Sequence, residues 1–171
     1  MTELLPTPDA NRPEEATVDA IRARHLAEQR RSEQNLTMAL LAGGAAALAG
    51  AVLWAVVTAI THYQFGIMAI AIGFLVGVAV LKAGKGVEPR FGIAGAILAG
   101  LGCAVGNLLV GCVLVANQEE VGVMQVLDAL DVGLIKAIMA AIFRPMDLLF
   151  YAIALYEGFR FSYGRPVLKR A

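Results

Sequence analysis

Few residues in this chain have the chemistry to act on a ligand, and fewer are spaced to act together. Asn107 stands inside a long uncharged run, where an amide can line a polar path, hold a ligand or bridge two helices by a hydrogen bond. His62, beside Tyr63, is of the residue type that serves as a proton-linked switch, though at an outer turn it is more often a simple interfacial residue. Asp128 and Asp131 are three residues apart, so on a continuous helix they share a face and would present two oxygen ligands to a hard cation. Two are too few for a metal site. Glu157 can reach Arg160 three residues on, which accounts for it as a local ion pair. Cys103 and Cys112 lie nine residues apart, on opposite sides of one helix, and cannot bridge each other. Gly84-Lys85-Gly86 lacks both the earlier glycine, Ala79 standing in that place, and the Ser or Thr of a phosphate loop, so it reads as a turn. No catalytic, cofactor or metal constellation can be assembled, and a non-enzymatic protein is expected.

The elements that would position these residues are membrane helices. From Leu36 to Leu81 there are 46 residues with no Asp, Glu, Lys or Arg, and a second such run extends from Phe91 to Gln118. A helix crosses the hydrocarbon in roughly 20 residues, so the first run must fold back on itself. Thr61, His62, Tyr63 and Gln64 supply the turn, giving spans at 36–60 and 65–81, with a third at 91–116. Backbone groups in lipid must be satisfied internally, and the runs lack the alternation of barrel strands, so all three read as helices. A mean hydropathy of +0.69 agrees with this, as does a hydrophobic content of 58%.

Charge placement suggests the topology. Fourteen basic and fourteen acidic residues cancel, which gives no reason to expect a nucleic-acid partner. Arg12, Arg22, Arg24, Arg30 and Arg31 precede the first span; Lys82, Lys85 and Arg90 separate the second from the third; Arg160, Arg165, Lys169 and Arg170 come last. Placing these twelve on one side leaves only Lys136 and Arg144 on the other, the pattern of a protein with both termini cytoplasmic. Two inward termini need an even number of crossings, so a fourth span is expected at 145–161, opened by Pro145 with Asp147 in its first turn. Aromatic residues at its far end, Phe159, Phe161 and Tyr163, suit an interfacial belt.

The intervening segment 121–143 has an apolar face of Leu127, Leu130, Leu134 and Ile138 against Gln125, Asp128, Asp131 and Lys136. It reads as an outer-face amphipathic or re-entrant helix, with a fifth full span as the competing reading. Residues 1–35 are expected to form a cytoplasmic tail followed by a juxtamembrane helix from Pro13, one that could continue unbroken into the first span. The uncharged run starts too late and runs too long for a cleavable leader. Residues 164–171 form a short basic cytoplasmic tail. The fold expected is thus an all-α integral membrane domain of four spans over residues 36–163.

Small residues are the other conspicuous pattern. Gly73 and Gly77 form a GxxxG pair in the second span, and Gly102 and Gly106 form another in the third. Hydrophobicity does not drive helices together in lipid, so close backbone approach through such residues is a main source of packing. The motif is neutral between packing within one chain and packing across chains. Phe65-Gly66-Ile67 and Phe91-Gly92-Ile93 open successive spans, but three shared residues carry no inverted repeat.

His62-Tyr63-Gln64-Phe65-Gly66, Ile72-Gly73-Phe74-Leu75-Val76-Gly77, Gly84-Lys85-Gly86 and Leu101 through Leu109, with Met146 through Tyr151 and Tyr156-Glu157-Gly158, resemble a set of small multi-helix bacterial inner-membrane proteins. The resemblance spans roughly residues 50 to 163 and implies a multi-helix bacterial membrane domain. It brings no activity and no functional residue. The expected role is a structural, assembly or accessory subunit that meets membrane lipids and either its own copies or a membrane-protein partner. A small-solute or ion path past Asn107 and His62 is the alternative, and a membrane enzyme using Asp128, Asp131 or Glu157 has the least support.

Overall fold

The computed structural model describes residues 12–63 and 65–164, so the expected tails at 1–11 and 165–171, and Gln64 of the first turn, lie outside the described residues. Every regular element among the described residues is a helix. The chain divides into two units, Met1–Glu33 and Gln34–Ala171. The first holds α1 (Arg12–Ser32), which starts one residue before the expected Pro13.

Helix α2 (Leu36–Thr61) does not continue α1. Asn35 is extended, with φ −130° and ψ 100°, and its side-chain oxygen accepts the Met38 N–H. A short amide competes well with helix backbone at this position and stops one helix to start another. Gln34 accepts the Val87 N–H at 3.2 Å, and the Asn35 N–H donates to the Gly84 carbonyl at 3.0 Å. The start of α2 is thereby tied to the loop between α3 (Ile67–Gly84) and α4 (Pro89–Gln118).

Three helices, α2, α3 and α4, are long and apolar enough to cross a bilayer. The 121–143 segment is not one helix. It forms α5 (Val123–Asp128) and α6 (Val132–Ile142), broken at Ala129, Leu130 and Asp131. Asp131 turns its carboxylate back to accept the Leu134 N–H at 2.6 Å, so it caps α6 and shares no helical face with Asp128. Helix α7 (Pro145–Phe161) follows with a bend of 100° from α6. Taken together the bent pair meets the requirements of one further span, broken or re-entrant. At the bend, Asp147 accepts the Arg144 N–H at 2.8 Å and donates its own N–H to the Arg144 carbonyl, as an anion in a first turn should.

In the second unit, α2 and α4 run in the same direction, with Gly43 opposite Leu98, Ala47 opposite Gly102 and Ala51 opposite Gly106. Helix α3 runs against both, setting Gly84 on Ala39 and Gly50 on Ile72. Helix α7 lies alongside α3 in the same sense, Gly66 meeting Phe150 and Gly77 meeting Phe161. Helices α3 and α4 touch each other and both neighbours, whereas α2 and α7 do not meet. Short helices α5 and α6 pack only on α4, around Cys112 and Ala116. Trp54, Ile72, Val76, Val80, Phe91 and Val110 fill the shared core. Within lipid their contribution is dispersion and fit rather than escape from water.

Candidate functional site

The four glycines of the two GxxxG pairs face helices of the same chain. A Cβ on Gly73 would stand 2.5 Å from the Ala154 carbonyl oxygen, and one on Gly77 would stand 2.8 Å from the Phe161 Cβ, both on α7. A Cβ on Gly102 would meet the Ala47 Cβ at 3.0 Å, and one on Gly106 would meet the Trp54 ring at 2.8 Å, both on α2. Carbon atoms do not approach so closely, so these crossings exist at this separation because a hydrogen stands where a methyl would.

Other glycines do the same work without any motif to announce it. Gly95 and Gly158 face each other where α4 crosses α7, the Gly158 Cβ position lying 2.7 Å from the Gly95 carbonyl oxygen. The Ser162 hydroxyl donates to the Gly158 carbonyl at this crossing. Gly158 is thus a packing residue within α7. Gly66 and Gly92 lie under the rings of Phe150 and of Phe159 with Tyr163, which gives the two Phe-Gly-Ile segments a common partner in α7. Gly84 and Gly86 make room for the Phe91 ring, and the left-handed residue between them is Lys85, with φ 48°.

Asn107 is fully buried, on the α4 face that meets α7. The Tyr151 hydroxyl donates to the Cys103 carbonyl at 3.0 Å and interacts with the Asn107 side chain. The Cys103 thiol in turn donates to the Ala69 carbonyl of α3 at 3.6 Å. A small polar cluster therefore ties α3, α4 and α7 together within the uncharged core. Nearby in the core, the Trp54 indole N–H and the Thr58 hydroxyl on α2 are enclosed without a hydrogen-bond partner. Glu157 does not form the expected pair with Arg160: its Oε2 is enclosed without a partner.

His62 lies apart from Asn107, exposed at the C-terminal cap of α2 in a left-handed conformation with φ 57°. It borders an open groove of about 470 Å³ at that end of the bundle. Gly111, Leu114 and Ile138 line it, together with Gln118 and Arg144. Gly111, one turn from Asn107, lines the groove and is packed against the Ile138 side chain. Asn107 does not line this groove, so the two residues expected to share a path stand apart. Both cysteines are free and buried, and no group of three metal-ligating side chains occurs among the described residues.

A second, wholly apolar groove of about 200 Å³ runs along the seam of α2 and α4, lined by Gly44, Leu48, Leu98, Leu101 and Val105. A Cβ on Gly44 would meet nothing within 4 Å, unlike those of the packing glycines. No family model, no curated protein and no solved structure matches the chain.

Proposed function

We propose that this chain is a non-enzymatic assembly or accessory subunit of the bacterial inner membrane that associates laterally with a membrane helix, its own or a partner's. Helix α7 would complete a fourth crossing and leave both termini cytoplasmic, the arrangement the twelve-to-two split of basic residues favours. The observation that carries the reading is the open seam of α2 and α4. Helix α2 is covered on one side only, Leu48 is 60% exposed, and Gly44 leaves the backbone approachable in the first half of the helix. Association in lipid depends on such approach, and the glycines of the two motifs are already used inside the chain. The test is Gly44→Leu in full-length protein extracted in mild detergent. The reading expects a defined oligomer or co-purifying membrane partner that the substitution disperses. A solitary monomer, indifferent to the substitution, would refute it.

A second reading is favoured by one observation, the descent of the His62 groove to within a turn of Asn107. A solute path would then open when Ile138 leaves Gly111. Reconstituted liposomes should show flux that Asn107→Leu abolishes; no flux, or flux that ignores the substitution, would remove it.

A further inference from the structure

The groove at the His62 end has two chemistries. Its walls from α4 and α6 are apolar, formed by Leu114, Val115, Ile138 and Ile142, while His62, Asn117, Gln118 and Arg144 bring polar groups to the rim. The volume of about 470 Å³ is that of a small-ligand site. Ile138 packs on Gly111 at the end nearest Asn107, and Asn107 does not line the groove. The charged side chain lining it is Arg144, and no ion pair engages that guanidinium among the described residues. Asp147 is nearby, but the residue is buried and its carboxylate is committed to the Arg144 backbone N–H. Glu119 and Glu120 follow Gln118 and do not line the cavity.

A free anion would use the cationic rim and waste the apolar wall; a zwitterionic lipid would fill the wall but bring its own cation beside Arg144. The geometry points to a membrane lipid with an anionic phosphate headgroup, whose phosphate lies on Arg144 and His62 and whose first methylenes lie between α4 and α6. A guanidinium presents paired N–H groups that match two phosphate oxygens, which an ammonium cannot do. The cavity opens where α2 and α4 both end, the level at which headgroups stand when these helices cross a bilayer. The inference does not depend on which side of the membrane this end faces, nor on the lateral association proposed above.

Native mass spectrometry of the full chain in mild detergent tests it, with phosphatidylglycerol and phosphatidylcholine of identical acyl chains as probes. The wild type should retain phosphatidylglycerol preferentially. Arg144→Gln should lower that preference about fivefold, the effect of one interfacial cation. The variant should fold, because Arg144 serves the start of α7 through its backbone N–H and carbonyl rather than its guanidinium. Ala141→Trp should fill the cavity and reduce retention of both lipids, and Arg160→Gln, at the other end of α7, should change nothing. Equal retention of the two lipids by the wild type would overturn the proposal. So would an Arg144→Gln variant that matches the wild type, an equal loss from Arg160→Gln, or displacement of phosphatidylglycerol by millimolar inorganic phosphate, which would identify a site for free anions.

Discussion

At the scale of single residues, glycine divides into two kinds that the sequence does not separate. Gly73 meets backbone atoms of Ala154, which cannot move aside, whereas Gly44 meets nothing. Gly73→Ala should therefore lower thermal stability in detergent by about 2 kcal/mol, the cost of forcing a methyl into a filled contact. Gly44→Ala should raise it by up to about 1 kcal/mol through helix propensity alone. Opposite signs from one chemical change, read by thermal unfolding, check the assignment. Left-handed residues give a third case. Glu120 follows α4 with φ 53° and is exposed, so Glu120→Gly should stabilise by about 1 kcal/mol by removing a strained Cβ. No effect in the same assay would show that the conformation is not strained there.

At the scale of elements, the region between α4 and α7 differs most from its sequence reading. Period and apolar face suggested one amphipathic helix, but Asp131 has a more favourable use as a cap than as a surface carboxylate. The break lets α5 and α6 fold onto the far half of α4, and α7 passes Cys103 only at Tyr151, two turns into the helix. Asp131→Ala should loosen α6 at a cost of about 1 kcal/mol, seen as faster amide exchange at Leu134 and Ile135 than elsewhere in the bundle. Single cysteines at Ala129 and Ala137, both exposed, should be labelled only from the periplasmic side under the proposed topology. Labelling of both from the cytoplasm would overturn that topology. The start of α7, by contrast, was legible, because Pro145 and Asp147 are local signals that act through the residue beside them.

At the scale of the whole molecule, the defining relation is the common direction of α2 and α4, placed side by side with α3 running between their ends. It brings Ala47 and Gly102 within a side chain's reach although 55 positions separate them. Cysteines at these two positions should oxidise within one chain and shift its mobility without forming a dimer. A crosslinked dimer would move the contact to a neighbouring chain. Residues 1–33 form a unit of their own, so their removal should leave the helicity and unfolding temperature of residues 34–171 within a few degrees of the full chain. Collapse of the remainder would contradict that division.

By itself the sequence determined that this chain is helical and apolar enough for a membrane, and where three of its long helices lie. Those properties follow from local facts: a 46-residue stretch without charge, a polar turn, a proline followed by an aspartate. Tertiary structure alone decided what each glycine faces, that Asn107 is buried beside Tyr151 while His62 borders a separate groove, and that Arg144 closes the rim of that groove. Those relations depend on the register between helices. Register is set by the summed fit of many small contacts across residues far apart in the chain, and no local pattern encodes that sum.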